Sequence, residues 1–345
     1  MGIATKTTHA NKLRYKVLID RYNDLEPNAL RATLGDFFHH DADINVVQPI
    51  NKIRGGSEYI NRLVNPMLGA FNHLYRRADM LFGGEYEGGE WVVSHGHYVG
   101  DFCYDWMGIP ASQTIVWLHY AEYHRMEDGK AVETYLYLDM LDLLRQIGRF
   151  PLQESIGYEG FVPGPATCDG IVPQEQVADE SVATLRIVDE MLTRLYTDDE
   201  AWRPYWHRNM YWYGPSGYGS QLGIEGFNKF QRPYETIFDK DRVCTNFRKS
   251  GDERLDESVN GHFARFADGN FAALGGWPSH GGFMVNDWLG VEASGQLFTV
   301  RVADLYRRQG DLLVENWVFV DIIDMLLQLG VDAFANAGIA ITSQH

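Results

Sequence analysis

Two stretches of the sequence are near copies of each other: ETYLYLDMLDLLRQIG at residues 133–148 and ENWVFVDIIDMLLQLG at residues 315–330. Glu, Asp, Asp, Leu, Gln and Gly coincide between them at a constant offset of 182 positions (315 − 133). The same offset aligns Asp105-Trp106 with Asp287-Trp288 upstream. Self-similarity at a fixed distance is the signature of a repeated structural unit, so the chain is predicted to be a tandem duplication.

The two copies differ in length at one place. Near the start of each copy, DFFHHDADI aligns with PYWHRNMYW at an offset of 168 (207 − 39), and the difference of 14 predicts an insertion in the second copy near 239–260. Residues 151–177 are rich in Pro and Gly, which is typical of a linker, and their aromatic side chains predict that it packs across both domains. The predicted organisation is a first domain at 1–150, a linker at 151–177 and a second domain at 178–345.

Each copy begins with a helical pattern and continues with strands. Apolar residues recur at helical spacing from Val182 to Leu195 and, more roughly, from Leu13 to Tyr22. Helices followed by long antiparallel strands predict an α+β fold, in which helices cover one face of a curved sheet and enclose a cone-shaped pocket. Short second helices are predicted at 57–71 and 224–237, and strands at 91–103, 112–126, 132–140, 271–285, 294–308 and 313–322.

The composition argues against several classes of function. With 30 Lys and Arg against 47 Asp and Glu the net charge is −17, whereas a nucleic-acid partner requires a basic face. No stretch reaches the ~20 apolar residues of a membrane span, and the first residues lack the apolar region of a secretory signal. The three cysteines stand outside any CxxC pattern, which favours neither a disulfide framework nor a zinc ribbon. We therefore expect a cytoplasmic protein without a membrane or nucleic-acid partner.

Strand alternation indicates which side chains share a face of the first sheet. If the polar sets of three neighbouring strands face one concavity, the first pocket holds histidines, carboxylates and tyrosines, which is equipment for proton transfer. The predicted set comprises His95, His97, Asp101, Trp117, His119, Tyr123, Glu133, Tyr135, Tyr137 and Asp139.

The second copy keeps part of this set. Its closing strand retains both carboxylates, but Trp277 and Ser279 take the places of His95 and His97. The first copy is therefore predicted to be the more active one. The other residues that could support chemistry or substrate contact in the second copy are His280, Asp287, Thr299, Arg301, Glu315, Trp317, Phe319 and Asp321.

The closing-strand motif resembles that of the SnoaL-like polyketide cyclases, within the NTF2-like superfamily of α+β cone proteins. The motif is Glu-x-[Trp/Tyr]-x-x-x-Asp followed by Leu-x-x-Gln-[Ile/Leu]-Gly, with Gly96-His97 and Gly108-Ile109-Pro110-Ala111-Ser112 before it in the first copy. The resemblance covers both copies and implies two NTF2-like cones packed as an intramolecular pseudo-dimer. Departures are the doubled chain, Tyr135 in place of the more usual Trp, and the absence of a second Gly-His step.

The resemblance implies that Asp139, and Asp321 in the second copy, act as general acid/base residues. The reaction predicted from it is cofactor-independent proton abstraction next to a carbonyl of a hydrophobic small molecule, of the cyclase or isomerase type, with His97 and His119 assisting. A tyrosine hydroxyl would stabilise the enolate. The residues predicted to contact substrate are Tyr123, Tyr135, Tyr137, Trp117, Asn45, Trp317 and Arg301.

Other interpretations of the same residues stay open. Asp139 and Asp321 each precede a helical Asp-x-x-Asp-Leu-Leu-like turn, where a carboxylate caps the helix. His95-x-His97 resembles part of a cupin metal motif, but the second cupin motif is missing, so no metal is expected. A dehydratase or hydratase using Asp, His and Tyr is one alternative function, and a non-catalytic small-molecule-binding protein is another. A homodimer of the doubled chain is also compatible with the sequence.

Overall fold

The computed structural model describes residues 2–24, 26–196, 200–259 and 261–342, so a few residues of the predicted domains lie outside the described ones. The helices are α1 (Lys6–Tyr22), α2 (Pro27–Phe37), α3 (Gly56–Tyr59), α4 (Asn65–Ala70), α5 (Met140–Gln146), α6 (Ala178–Leu192), α7 (Gly223–Thr236), α8 (Glu253–Ser258), α9 (Ile322–Gln328) and α10 (Ala333–Asn336). A π-helical turn, Ile60–Val64, joins α3 to α4, and a 3₁₀ turn spans Arg203–Tyr205.

The strands form two separate sheets. Those of the first are β1 (Phe38–Val46), β2 (Asn51–Arg54), β3 (Phe71–Tyr86), β4 (Gly89–Phe102), β5 (Ile115–Glu127) and β6 (Lys130–Leu138). Those of the second are β7 (Trp206–Tyr213), β8 (Gln221–Leu222), β9 (Cys244–Thr245), β10 (His262–Asp268), β11 (Phe271–Phe283), β12 (Leu297–Gln309) and β13 (Leu312–Val320).

The two sheets share one topology, and the predicted α+β class is confirmed. The first has the order β2-β1-β6-β5-β4-β3 and the second the order β8-β7-β13-β12-β11-β10, with β9 beside β11. We call residues 6–146 the first repeat and residues 178–336 the second repeat. One expectation was wrong: the sheets are not purely antiparallel, because β1 pairs with β6, and β7 with β13, in parallel. The chain between the parallel partners is long, because it includes strands β2–β5 with α3 and α4 in the first repeat and β8–β12 with α7 and α8 in the second.

Tight turns fix the register of the long strands. Asp128 and Gly129 between β5 and β6 both have positive φ, at 48° and 75°, and Glu87 and Gly88 between β3 and β4 have 51° and 80°. Two consecutive positive φ values are the mark of the type I′ turn, whose twist matches that of the strands it joins. The pairing of β4 with β5 is unbroken from Glu90 to Asp101, and that of β5 with β6 is regular from Tyr120 to Arg125, beyond which it shifts register before the turn.

One face of the first sheet packs on the second sheet, and the helices cover the opposite face. The Tyr123 hydroxyl donates to the Leu274 carbonyl oxygen at 2.9 Å, and that of Tyr137 to the Val302 carbonyl oxygen at 3.1 Å. On the helix side, the Tyr15 hydroxyl of α1 donates to Glu122 at 2.8 Å. The face of the first sheet that carries the predicted polar set is thus turned towards the second sheet, so the expectation that this set lines the helix-covered concavity was wrong. Trp117 and Asp101 on the same face are partly exposed.

The repeats are joined by further contacts. Lys12 of α1 and Asp268 of β10 form an ion pair at 2.7 Å in which both side chains are fully buried. The linker also contacts both repeats, as predicted. The Val172 N–H donates to the Leu81 carbonyl oxygen at 2.8 Å, and the Trp317 indole N–H donates to the Pro163 carbonyl oxygen at 2.7 Å. No helix among the described residues is long and apolar enough to cross a membrane.

Candidate functional site

The helix-covered concavity of the first repeat is filled by its own side chains. Arg76 of β3 projects into it and pairs with Glu122 of β5 at 2.8 Å, each side chain being 1% exposed. The Glu122 carboxylate also accepts the hydroxyls of Tyr15 and Tyr59, both at 2.8 Å. The rings of four tyrosines surround the guanidinium, with centroids 4.3–5.5 Å from its central carbon: Tyr15, Tyr22, Tyr98 and Tyr120.

This cluster holds Glu122 ionised. Burial by itself would raise the pKa of the Glu122 carboxyl, but Arg76, His124 and the hydrogen bonds around it lower that pKa far below its ordinary range. A buried charge is tolerated where it is paired and hydrogen-bonded on all sides. The space around Glu122 in the concavity of the first repeat is therefore occupied by a packed polar cluster.

The corresponding concavity of the second repeat is open because smaller residues stand at matching places. The offset of 182 takes Glu122 to Asp304, Tyr120 to Val302 and Tyr98 to His280, and the strand registers agree with these matches. On adjacent strands, Arg76 of β3 lies opposite Tyr98 of β4 in the first sheet, whereas Thr245 of β9 lies opposite His280 of β11 in the second. The large cation is thus replaced by a threonine from the predicted insertion, and the aromatic Tyr120 by a valine.

The resulting cavity has a volume of about 130 Å³. Helices α6 and α7, strands β7 and β11–β13 and the segment around β9 form its wall. Its only Lys, Arg, Asp or Glu side chain among the described residues is Asp304. The apolar and aromatic lining comprises Met191, Leu192, Leu195, Tyr196, Trp206, Trp212, Tyr218, Phe227, Phe230, Tyr234, Phe247, Leu274, Val302, Tyr306, Val318 and Val320.

Asp304 is a carboxylate without a cationic partner among the described residues. The Asn316 amide donates to its Oδ1 at 3.2 Å, and its side chain is also hydrogen-bonded to Tyr306. Burial raises the pKa of Asp304 to about 6, although these two hydrogen bonds act in the opposite direction. The contrast with Glu122 has a plain cause, because Arg76 has no counterpart here. A carboxyl that titrates near neutral pH in an apolar cavity is suited to general acid/base work.

A neutral histidine and a tyrosine lie in the same cavity. The Tyr234 hydroxyl of α7 lies 2.6 Å from Nε2 of His280. Burial lowers the pKa of His280 to about 4, so the imidazole is uncharged at neutral pH, and burial lowers that of His262 to about 3. A neutral imidazole bonded to a phenol can accept a proton on one nitrogen and donate on the other.

The carboxylates predicted to be catalytic occupy helix caps and link the two repeats. Asp139 accepts the backbone N–H of Asp142 at 2.9 Å, as the cap of α5, and that of Ser216 in the second repeat at 2.8 Å. Asp321 accepts the backbone N–H of Asp324 at 3.1 Å, as the cap of α9, and the backbone N–H of Gln48 in the first repeat at 3.2 Å. Gln48 and Ser216 are 168 positions apart (216 − 48), which is the repeat offset in this part of the chain. The contact of Asp139 with Ser216 and that of Asp321 with Gln48 are therefore equivalent, each joining one repeat to the other. Burial raises the pKa of Asp139 to about 7 and that of Asp321 to about 6.

The predicted assisting histidines lie in a different cavity. Four of the predicted residues line a cleft of about 470 Å³ that is also lined by the linker segment 159–164: His97, His119, Trp117 and Asp139. The ring of His119 hydrogen-bonds that of His95, Nε2 to Nε2, at 2.7 Å, and His97 lies 3.6 Å from Asp79. Burial lowers the pKa of His95 to about 3 and that of His119 well below its usual value. The structure thus brings these four predicted residues together, but away from the helix-covered cavity.

The predicted substrate-contact residues have other partners. The ring of Tyr135 stacks on Phe263, and Tyr123 and Tyr137 bond the opposite sheet as described above. Arg301 pairs with Asp321 at 3.0 Å and lies over Trp277. Trp317 is buried against the linker. Asn45 lies on β1 opposite Tyr135. None of these side chains lines the cavity around Asp304.

The residues that sequence reasoning missed were Asp304, Asn316, Tyr234 and Thr245, and the repeat offset was the available signal. It pairs Glu122 with Asp304, so a carboxylate recurs at the centre of the second long strand in both copies. No group of three or more His, Cys, Asp or Glu side chains within the described part of the chain is arranged to hold a metal ion.

Several solved structures are similar to this chain. A candidate SnoaL-like polyketide cyclase from Jannaschia sp. CCS1 has 16% identity and a TM-score of 0.35, covering 41% of this chain and 92% of that chain. TsrD from Streptomyces laurentii has 19% identity and a TM-score of 0.34, over 42% and 98% of the two chains. An NTF2-like protein from Burkholderia xenovorans LB400 has 8% identity and a TM-score of 0.32, over 43% and 97%.

The first and third of these structures carry the names of the families that the closing-strand motif resembles. Their sequence identities are low, so no residue role or reaction is carried over from them. No protein-family model matches the chain. The curated proteins contain no match either.

Proposed function

We propose that the second repeat is the catalytic one, and that it catalyses cofactor-independent general acid/base chemistry on a hydrophobic small molecule. The observation that carries the proposal is Asp304, a partly buried carboxylate with a pKa of about 6 in a cavity lined mostly by apolar and aromatic side chains. Such a group is ionised at neutral pH and accepts a proton more readily than a carboxylate with the ordinary pKa.

The proposed step is removal of a proton next to a carbonyl by Asp304. The enolate oxygen that forms would be stabilised by hydrogen bonding from the Tyr234–His280 pair. The imidazole stays neutral during this stabilisation. The apolar and aromatic side chains of the wall would bind the body of the substrate. Ring closure, isomerisation and dehydration share this first step, so the proposal covers all three.

The step can be tested without the natural substrate. 2-Tetralone is an apolar ketone whose α-hydrogens exchange with deuterium when a base removes them, and NMR in D₂O measures that exchange. The full chain is expected to accelerate exchange, and Asp304→Asn is expected to lower the rate by roughly 100-fold or more, the usual effect of losing a general base. Exchange at the wild-type rate in Asp304→Asn would refute the assignment.

Asp139→Asn provides the comparison between the two candidate carboxylates. Asp139, with His97 and His119, remains the catalytic set predicted from the sequence. Since both Asp139 oxygens accept backbone N–H groups, we expect its Asn variant to keep the exchange activity. Loss of exchange in Asp139→Asn alone would instead place catalysis in the cleft between the repeats.

A further inference from the structure

The two concavities are matched in sequence and topology, yet one is filled and the other is open. In the first repeat, the occupant of the space beside Glu122 is the chain's own guanidinium, that of Arg76. In the second repeat, that space is part of the cavity, because Thr245 stands where Arg76 would be. The group that fills the first concavity, a guanidinium paired with a carboxylate, therefore indicates which kind of ligand the open concavity would bind.

The carboxylate among the recognition elements around the guanidinium is kept in the second repeat, as Asp304. Tyr98 and Tyr120 are replaced there by His280 and Val302, and aromatic side chains at other positions line the cavity. Burial is the main cause of the raised pKa of Tyr234 and of Tyr196, and the charge of Asp304 adds to it, so both phenols lie within electrostatic range of that carboxylate. Aromatic faces bind organic cations through their negative quadrupole, and this attraction strengthens when the site excludes water.

The partners of Glu122 are what the second repeat lacks. The offset of 168 takes Tyr59, whose hydroxyl bonds Glu122, to Phe227, which lines the cavity and has no hydroxyl. Arg76 becomes Thr245, and no Lys or Arg belongs to the cavity wall that the structure describes. Asp304 thus keeps the negative charge of Glu122 and lacks counterparts of the Arg76 cation and the Tyr59 phenol, while Tyr306 supplies a different hydroxyl.

We infer that the ligand of the second repeat carries a protonated nitrogen, which pairs with Asp304 in the place that Arg76 occupies in the first repeat. The ligand class is a hydrophobic primary or secondary amine or an amidine, with its apolar body against the aromatic wall. This inference rests on the proposed function, because it takes the same cavity to be the ligand site. A cationic nitrogen beside a carbonyl also acidifies the neighbouring C–H, which suits a base of moderate strength.

The test compares two molecules with one carbon skeleton, 2-aminotetralin and its neutral isostere 2-hydroxytetralin. Calorimetric titration of the full chain at neutral pH is expected to give at least roughly tenfold tighter binding of the amine, which corresponds to about 1.4 kcal/mol. Asp304→Asn is expected to remove this preference and to leave the affinity for the alcohol within threefold. Equal affinity of the wild type for both molecules would overturn the inference.

Two further variants separate the cavity from general charge effects. The chain has a net charge of −17 and attracts cations non-specifically, so Glu292→Gln, at an exposed position, serves as the charge-matched control and is expected to keep the full preference. Thr245→Arg supplies the missing guanidinium from the chain and is expected to abolish amine binding. A preference that Glu292→Gln removes as fully as Asp304→Asn would contradict the inference.

The outcome is distinguishable from that of the proposed function. Exchange of 2-tetralone that depends on Asp304, without any amine preference, would refute the inference and support the catalytic proposal. Amine preference that depends on Asp304, without exchange of 2-tetralone, would support the inference and refute the catalytic proposal. If neither tetralin derivative binds, the inference is overturned.

Discussion

Replacement of Asp304 by Asn should stabilise the protein at neutral pH, and the structure sets the size of the effect. The folded pKa of about 6 lies above the ordinary value of 3.8, mainly because of burial. Between these two values the folded chain holds a proton that the unfolded chain has released. Stability therefore falls as the pH rises through this window, and the loss is complete above about pH 6.

The difference between about 6 and 3.8 corresponds to about 3 kcal/mol at about 1.4 kcal/mol per pH unit. Asn has nearly the same shape and no charge, so Asp304→Asn should gain up to about 3 kcal/mol above pH 6 and almost nothing below pH 4. Denaturant unfolding of both proteins from pH 4 to pH 8 measures the gain. Asp139 and Asp321 also titrate, but they are present in both proteins and cancel in the difference.

Glu122→Gln is the matched control, because Glu122 is the counterpart of Asp304 in the filled concavity. The folded pKa of Glu122 is lowered, since Arg76 and several hydrogen bonds outweigh the effect of burial. Its ionised form therefore stabilises the fold at neutral pH, and Glu122→Gln should destabilise the protein there. The reasoning is refuted if Asp304→Asn gains the same stability at pH 4 and pH 8, or if both substitutions change stability in the same direction at pH 7.

Two further predictions concern the contacts between the repeats. Lys12→Met should lower the free energy of unfolding by about 3–5 kcal/mol, because it leaves Asp268 buried without its cation, and adding Asp268→Asn should recover part of that loss. Denaturant unfolding measures both effects, with the exposed Lys16→Met as control. A loss for Lys12→Met no larger than that for Lys16→Met would contradict the prediction. Tyr137→Phe should cost about 1 kcal/mol, because its hydroxyl donates to backbone carbonyls of the opposite sheet and Phe keeps the packing; unchanged stability would show that these carbonyl oxygens find other donors.

The repeat was the most informative feature of the sequence for the fold. The offset in the closing-strand motif predicted two equivalent units, and both sheets have the same strand order. The predicted strand ranges correspond to β4–β6 and β11–β13, and β3 and β10 are among the strands that were not predicted. In β3 the adjacent Arg76 and Arg77 break the apolar alternation, although Arg76 is buried inside the concavity. A buried arginine looks like a surface residue in a sequence pattern unless its partner Glu122 is known.

Strand parity could show which side chains share a face, but not which face the helices cover. On β5, both faces carry aromatic and ionisable residues: Trp117, His119 and Tyr123 on one side, and Tyr120, Glu122 and His124 on the other. Composition does not separate them, because the first sheet is buried on both sides. The choice depends on packing between the repeats, which lies far beyond the range of a local pattern.

The reciprocal contacts of Asp139 with Ser216 and of Asp321 with Gln48 have a consequence for how such a chain can change. In a homodimer, any substitution appears in both subunits, so a substitution that fills one cavity fills both. The stability gained by filling the cavity then comes with the loss of ligand binding in both subunits. Joining the copies in one chain removes that constraint. One unit can become a rigid partner with a charged core while the other keeps its empty space, and an engineer could remodel the open unit around a new compound without touching the unit that supports it.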